Sequence, residues 1–158
     1  MGGGCKGLEV ARYYDAIARG YDELYGEEQE RKYYVGLKIL PPKERVLDAG
    51  CGTALLSEHV EGYYLGIDIS IEMLKIGKEK IRGETKDLVL GDVQLLPLRS
   101  KSFATCYSFT VLQNVEDPHK ALEELRRCCS SCVVSSLKGK GLEDGDCLEV
   151  YPDVLCKI

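Results

Sequence analysis

The feature that most constrains the fold of this 158-residue chain is an apolar run that ends in an acid and a glycine-x-glycine turn. The run 45–47 leads to Asp48, Gly50 and Gly52 follow, and apolar residues at helical spacing begin at Leu55. This order is typical of a strand, a tight turn and a helix. Glycines at such a turn permit positive φ and a close backbone approach to a ligand, and the helix start presents free N–H groups.

A second acid follows at a spacing that carries chemical meaning. Sixteen residues after Gly52, another apolar run ends in Asp68. An acid at the tip of the second strand of a strand–helix–strand unit is placed to accept hydrogen bonds from both hydroxyls of a ribose. The two runs together predict a site for a nucleoside-containing cofactor.

Strand and helix patterns alternate five times along the chain. Apolar spacing predicts helices over 8–25, 27–40, 71–82 and 119–127, with a short helix over 55–60. Apolar runs predict strands over 45–49, 63–67, 88–90, 103–109 and 132–136, and the rest of the chain has room for only one more, over 147–151. The predicted fold class is α/β: a Rossmann-like, doubly wound, mostly parallel sheet with helices on both faces and shortened C-terminal strands.

We expect one domain over 1–158, with N-terminal helices over 8–40, a core over 45–136 and a short tail over 137–158. Gly20 is predicted to end the first helix, and Glu28 and Lys32 are spaced as an i,i+4 pair on the second. The tyrosines of the first helix have two interpretations. They form an amphipathic face packed on the domain, or a lid whose rings reach the cofactor site.

The carboxyl ends of parallel strands meet at one edge of a sheet, where ligands bind at the switch in strand order. Four predicted strand tips carry carboxylates or small polar groups. These tips are 48–53, Asp68, Asp92 and 108–113. Four separately encoded tips that offer such groups to one crevice indicate a binding site more strongly than any single motif does.

Charge and hydropathy argue against two classes of partner. The net charge of −5 disfavours direct nucleic-acid binding, because phosphate contacts need clustered Lys and Arg. No apolar run approaches the ~20 residues that span a bilayer, and the first residues lack the apolar segment of a signal peptide. We therefore expect a cytoplasmic protein that does not enter a membrane.

Eight cysteines are many for an intracellular chain of this size. Cys129 and Cys132 form a C-x-x-C pair beside Cys128, but a structural zinc site needs four ligands and the sequence has no second such pair. The favoured interpretation is core packing of small apolar thiols, so no metal is predicted. Disulfides stay open at this point.

The details of the glycine turn distinguish between cofactors. A dinucleotide-binding fingerprint places a third glycine where this chain has Leu55. Asp48, directly below the turn, opposes a dianionic pyrophosphate but tolerates a cationic cofactor. The turn thus makes a NAD-binding protein the less favoured alternative.

Several stretches, in order, resemble the motifs of class I S-adenosylmethionine-dependent methyltransferases. They are 46–53 (VLDAGCGT), 66–74 (GIDISIEML), 91–97 (GDVQLLP) and 103–125, which contains VLQNVEDP; in addition, 13–22 (YYDAIARGYD) is similar to the lid helices of the small-molecule branch of that family. The resemblance implies a Rossmann-like fold with S-adenosyl-L-methionine as cofactor and S-adenosyl-L-homocysteine as product. It does not identify the methyl acceptor.

The resemblance also implies cofactor-binding roles, position by position. On the adenosine side, Asp68 would bind the ribose hydroxyls, and the adenine would contact Ile69, Met73, Asp92 and Val93. The methionine part would lie along the turn formed by Asp48, Ala49, Gly50, Cys51 and Gly52, with Asp48 near its ammonium group. The remaining residues on the methionine side would be Ser108, Phe109 and Leu112, with Tyr13 or Tyr21 closing over them.

The reaction itself is less well defined by the sequence. No catalytic base is evident, because His119 at a helix start is best explained as solvated, while Gln113 and Asn114 are placed to orient a substrate. The chain ends where the family normally continues through a substrate-covering segment. We therefore expect an open site, for a large substrate or for completion by a protein partner or a homodimer. The alternative is an S-adenosylmethionine-binding regulatory or scaffold protein without catalysis.

Overall fold

The computed structural model describes residues 3–139 and 145–158. Its helices are α1 (Gly3–Ile17), α2 (Tyr21–Ile39), α3 (Ile71–Lys80) and α4 (Pro118–Cys128). Its strands are β1 (Arg45–Ala49), β2 (Tyr63–Asp68), β3 (Lys86–Leu90), β4 (Phe103–Ser108), β5 (Cys129–Leu137), β6 (Asp146–Val150) and β7 (Asp153–Lys157).

These strands form one seven-stranded sheet in the order β3-β2-β1-β4-β5-β7-β6. The neighbours from β3 to β5 pair in parallel, whereas β7 is antiparallel to both β5 and β6. The strand order reverses between β1 and β4, which places a crevice above their carboxyl ends. The prediction of an α/β, mostly parallel sheet is confirmed.

Alternate residues of the central strands point into two hydrophobic layers. Leu47 and Cys106 belong to the layer that α4 covers, and their neighbours Val46 and Tyr107 belong to the layer that α2 covers. Strands buried on both faces read as continuous apolar runs rather than alternating ones, as these do. The expected helices on both faces of the sheet are therefore present.

The N-terminal helices differ from the prediction at their junction. Gly20 does not simply end a helix over 8–25: a single 3₁₀ turn, Ala18–Gly20, joins α1 to α2, which begins at Tyr21 rather than at 27. Gly26 is accommodated inside α2, with open space where a side chain would be. The predicted helix over 55–60 is a 3₁₀ helix, Leu55–His59, entered through Ala54 in the left-handed conformation.

The prediction that only one further strand follows β5 is wrong. Both β6 and β7 form, with five residues each, and a two-residue turn at 151–152 joins them. A disulfide links Cys147 of β6 to Cys156, its register partner in β7. The apolar run 154–156 is only three residues long and is buried on both faces, so it lacks the alternation by which a short strand is recognised.

No helix in the described parts of the chain is long and apolar enough to cross a membrane.

Candidate functional site

A cleft of about 660 Å³ opens beyond the carboxyl ends of the first four strands. Loops that follow the strands form its floor, and the N-terminal helices cover it. Nine residues proposed from the sequence line this cleft: Tyr21, Gly50, Gly52, Asp68, Ile69, Met73, Asp92, Val93 and Phe109. The crevice predicted from the strand tips is thus present as a cleft, lined by residues from four separate strand ends.

The turn after β1 forms the floor of the cleft, and its glycines are required by space as well as by conformation. Gly50 has φ +79°, and a Cβ atom built on it would lie 2.1 Å from Val111 Cγ2. Gly52 has φ +56°, and its Cβ would lie 3.2 Å from the terminal methyl of Met73. The N–H groups of Gly50 and Cys51 both donate to the Ile67 carbonyl, which fixes the turn against β2. Bare backbone is therefore exposed to whatever the cleft holds.

Asp68 stands at the end of β2 and joins the floor to the next helix. Its Oδ2 accepts from Gly52 N–H at 2.8 Å, and its Oδ1 accepts from Ser70 N–H at 2.9 Å. Burial raises the pKa of Asp68, and these N–H donors oppose the rise because they stabilise the carboxylate. The result is a carboxylate whose orientation is set by backbone on both oxygens.

Asp48 lies below the floor instead of lining the cleft. Its side chain is 3% exposed, and its Oδ2 accepts from the Tyr64 hydroxyl at 2.5 Å. Burial raises the pKa of Asp48 to about 7, and the Tyr64 hydrogen bond opposes that rise. Asp48 therefore does not contact a ligand in the cleft, and any effect that it has on a ligand is electrostatic, across the turn.

The other proposed residues outside the cleft fall into two groups. Ala49, Cys51, Ser108 and Leu112 are buried beneath its floor, where the Ser108 hydroxyl donates to the Ala49 carbonyl at 2.9 Å. Tyr13 is 53% exposed and does not line the cleft.

The adenine-side candidates Asp92 and Val93 lie at the end of β3. Asp92 Oδ1 accepts from Gln94 N–H at 2.9 Å, so this carboxylate is oriented by its own loop. Asp92 and Val93 line the cleft together with Ile69 and Met73 from the loop after β2 and the first turn of α3. One charged group and three apolar side chains thus share this end of the cleft.

The N-terminal cover is fixed by two aspartates that the sequence analysis did not single out. Asp15 Oδ1 accepts from Ser70 Oγ at 2.5 Å and from Glu72 N–H at 3.2 Å, at the start of α3. Asp22 accepts from Thr53 Oγ1 at 2.5 Å and pairs with Lys80. Both carboxylates tie the cover to the edge of the cleft near β1 and β2.

The structure also places residues at the cleft that sequence reasoning missed. Tyr14, and not its neighbour Tyr13, lines the cleft, and burial raises its pKa to about 12. Thr110 and Val111, which belong to the predicted strand tip 108–113, line it as well, and so does Glu116, which was not proposed from the sequence. The motif 13–22 signalled a cover but not which of two adjacent tyrosines faces inward, and the loop 109–116 lacks a periodicity that would reveal its inner face.

The cleft is acidic. Asp68, Asp92 and Glu116 line it, and no lysine or arginine does so in the described ranges. Carboxylates without cationic partners favour a ligand that carries positive charge. No group of three or more His, Cys, Asp or Glu side chains in the described residues is arranged to hold a metal ion.

Known proteins resemble this chain in sequence. Residues 47–131 match the family model described as a methyltransferase domain. An uncharacterised protein of Methanocaldococcus jannaschii is 34% identical over 122 residues, which cover 76% of this chain and 47% of that protein. A demethylmenaquinone methyltransferase of Roseiflexus sp. is 32% identical over 129 residues, covering 75% of this chain and 54% of that enzyme. The chain thus spans about half the length of these relatives.

Solved structures share the fold. A Haloferax volcanii methyltransferase in complex with the Trm112 activator superposes with a TM-score of 0.70 at 24% identity, covering 77% of this chain and 59% of the other. The cyclase SpnF superposes with a TM-score of 0.72 at 18% identity, covering 82% and 60%.

A Rossmann-like sheet, a glycine turn and an acid at the tip of β2 are typical of the class of proteins that bind a nucleoside-containing cofactor. With the match over 47–131, the chain belongs to the class I S-adenosylmethionine-dependent methyltransferase family.

Proposed function

We propose that this chain catalyses transfer of a methyl group from S-adenosyl-L-methionine, bound in the acidic cleft, to an acceptor. The observation that carries the proposal is Asp68, a carboxylate held by two backbone N–H groups at the cleft edge beside the bare turn at Gly50 and Gly52. The Cβ-free turn leaves room for the methionine part, and the carboxylates suit an ammonium and a sulfonium group. The residues present thus fit the cofactor.

The proposed adenosine site uses the end of the cleft nearest β2 and β3. Asp68 would accept hydrogen bonds from the ribose hydroxyls, and Asp92 from the adenine amino group. Ile69, Met73 and Val93 would enclose the adenine ring. Burial of a planar ring among apolar side chains is favourable in proportion to the apolar area removed from water.

The proposed methionine site lies over the turn, with Tyr21 and Phe109 around it. Ala49, Cys51, Ser108 and Leu112 support this site from below, and we assign Asp48 an indirect, electrostatic role because it is buried. We give Tyr14 the covering role that the sequence left open for Tyr13.

The bound cofactor supplies an activated methyl group on a sulfonium. The chain's own contribution would be to hold the acceptor in line with that methyl group and to exclude water under the cover of α1 and α2. Cleft carboxylates would favour the cationic cofactor over its neutral product, which assists product release.

The partner and the location belong to the proposal as well. A structural neighbour is a methyltransferase in complex with an activator protein, and β3 is an exposed sheet edge with Leu90 54% exposed. Unpaired edge backbone accepts an added strand from another chain. We therefore propose that a protein partner, or a second copy, completes the site for its acceptor, and that the protein acts in the cytoplasm.

The test of the catalytic proposal is methyl transfer from methyl-labelled S-adenosyl-L-methionine to fractionated cell extract. The proposal predicts label in a discrete acceptor fraction with an equal amount of S-adenosyl-L-homocysteine, and loss of both in Asp68→Ala. Binding of the cofactor with no label in any fraction would instead favour a regulatory or scaffold protein.

A further inference from the structure

A buried ion pair lies behind the wall of the cleft, on the side opposite the proposed adenosine site. Lys32 of α2 and Asp153, the first residue of β7, are each 1% exposed, and Lys32 Nζ lies 2.9 Å from Asp153 Oδ2. Lys32 Nζ also donates to Glu28 Oε1 at 2.9 Å and to Thr110 Oγ1 at 2.8 Å. The predicted i,i+4 pair therefore exists, but its lysine is directed inward.

Stability alone does not account for this pair. Removing two charges from water carries a large free-energy cost, and well-packed apolar residues of similar volume are often as stable or more stable. Asp153 has no hydrogen-bond donor among the described residues besides its contact with Lys32. Apart from the carboxylates of Glu28 and Asp153, the group that the buried lysine contacts is the Thr110 hydroxyl.

Thr110 is held in a conformation that its side chain disfavours. Its φ is +60°, a rare value for a β-branched residue, and such strain persists only where the surroundings enforce it. Gln29 Nε2 donates to Thr110 Oγ1 at 3.1 Å, in addition to Lys32. The Thr110 N–H donates to Ser135 Oγ at 2.7 Å, so both ends of the residue are restrained.

Thr110 in turn orients two polar groups that line the cleft. Asn114 Nδ2 donates to the Thr110 carbonyl at 3.1 Å and to the Tyr14 hydroxyl at 2.8 Å. These bonds fix which way the amide faces. They leave Asn114 Oδ1 without a donor and the Tyr14 O–H without an acceptor among the described residues. One free acceptor and one free donor therefore stand side by side in the cleft wall.

We infer that Lys32 and Asp153 are positioning residues for the methyl acceptor, acting through Thr110 on Asn114 and Tyr14. This inference rests on the proposed function and deepens it. The acceptor class it specifies is a neutral group that both donates and accepts a hydrogen bond, such as a hydroxyl or an amide. A carboxylate at the same point would face the lone pairs of Asn114 Oδ1 and the carboxylates of an acidic cleft.

The experiment uses two probes of nearly equal shape, benzamide and benzoate, titrated into protein saturated with S-adenosyl-L-homocysteine and followed by ligand-observed NMR. A fragment of this size that fills its site binds with a dissociation constant near 10 mM or below, roughly, from ligand-efficiency limits. We expect benzamide to bind in that range and benzoate at least about tenfold more weakly. Equal binding of the two probes, or absence of benzamide binding, would overturn the acceptor class.

The positioning role is tested with the paired variant Lys32→Met/Asp153→Leu, which replaces both charges by apolar groups. We expect benzamide affinity to fall about threefold to tenfold and S-adenosyl-L-homocysteine affinity to fall by a clearly smaller factor, because the proposed adenosine site does not involve Thr110 and only the Tyr14 cover is shared. The matched control is Lys138→Met/Glu149→Leu, which removes an ion pair of the same 2.9 Å separation whose side chains are 61% and 53% exposed. The control should change neither affinity.

Unchanged benzamide affinity in a paired variant that still binds S-adenosyl-L-homocysteine would contradict the positioning role. Thr110→Val gives the same test without touching the ion pair, should the paired variant fail to fold, and is expected to lower benzamide affinity to a similar extent. If wild-type protein does not bind S-adenosyl-L-homocysteine, the proposed function itself fails, which is a separate result.

Discussion

Gly52 N–H and Asp68 Oδ2 are joined by a hydrogen bond of 2.8 Å, which ties the turn after β1 to the tip of β2. Ser70 N–H donates to the other carboxylate oxygen, Asp68 Oδ1, at 2.9 Å. The carboxylate is thereby oriented by the backbone before any ligand arrives. A preoriented group loses little conformational entropy on binding, so its hydrogen bonds to a ligand are more fully expressed in affinity.

Replacement of Asp68 tests its part in the proposed adenosine site. Asp68→Ala should weaken S-adenosyl-L-methionine binding by ~1 to 3 kcal/mol, the range for losing a charged hydrogen-bond partner. Calorimetric titration measures this change directly. Asp87→Ala removes an exposed acid from β3 and serves as the control for net charge. Equal affinities of the Asp68 and Asp87 variants would remove Asp68 from the site.

Gly50 permits a test that separates space from backbone conformation. Gly83 has φ +88° and nothing within 4 Å of its missing Cβ, so Gly83→Ala should cost only the left-handed strain, ~1 to 2 kcal/mol. Gly50→Ala adds a clash at 2.1 Å with Val111 Cγ2 and should destabilise the protein further and abolish cofactor binding. Chemical denaturation and calorimetry measure the two effects.

The second variant Gly50→Ala/Val111→Ala sharpens that test. With the Val111 methyls removed, the nearest remaining atom, Val111 Cβ, lies 3.3 Å away. The double variant should therefore recover most of the stability lost beyond that of Gly83→Ala. No recovery would show that the clash with Val111 is not the cause.

Asp48 predicts how stability depends on pH. Its pKa is raised by burial to about 7, well above that of an unfolded aspartate, so between roughly pH 4 and 7 the native state binds a proton that the unfolded state has released. The free energy of unfolding should therefore fall as pH rises through this window. From pH 5 to pH 8 the Asp48 contribution is a loss of about 2 to 3 kcal/mol.

Asp48→Asn removes the titrating group and keeps an oxygen acceptor for the Tyr64 hydroxyl. Urea denaturation at pH 5 and pH 8 should show a clearly smaller difference in this variant than in the wild type. The same pH dependence in both proteins would mean that Asp48 is already charged in the native state at pH 5.

The cover helices predict a contrast between two tyrosines. Tyr21 lines the cleft and Tyr13 is 53% exposed outside it. Tyr21→Ala should weaken cofactor binding by about tenfold or more, because the ring would bury apolar area against the ligand. Tyr13→Ala should alter it less than about twofold. A larger effect from Tyr13 than from Tyr21 would assign the covering role to Tyr13 of α1 and remove it from Tyr21 of α2.

The sequence predicted the parts of the site that local rules determine. A glycine turn after an apolar run, and an acid after the next, place Gly50, Gly52 and Asp68 at one edge of a parallel sheet without further information. Which of Tyr13 and Tyr14 lines the cleft could not be predicted from the sequence. Adjacent helical residues differ by about 100° in direction, and only packing on the sheet decides which faces inward.

Long-range partners explain what else was missed. Lys32 has an ordinary i,i+4 partner in Glu28, which the sequence shows. Its buried partner Asp153 belongs to β7, a strand that was not predicted, so the burial of Lys32 could not be predicted either. Thr110 likewise owes its conformation to Gln29 and Ser135, which are distant in sequence. Contacts of this kind depend on the assembled fold, and no periodic pattern in the sequence predicts them.

The proposed function requires that the cleft binds S-adenosyl-L-methionine with its ribose on Asp68. The most direct measurement is a crystal structure of the protein with S-adenosyl-L-homocysteine bound. Both ribose hydroxyls should lie within hydrogen-bond distance of the Asp68 carboxylate, ~2.5 to 3.0 Å, with the amino-acid part over the turn at Gly50 and Gly52. A ligand outside this cleft, or a ribose without contact to Asp68, would contradict it.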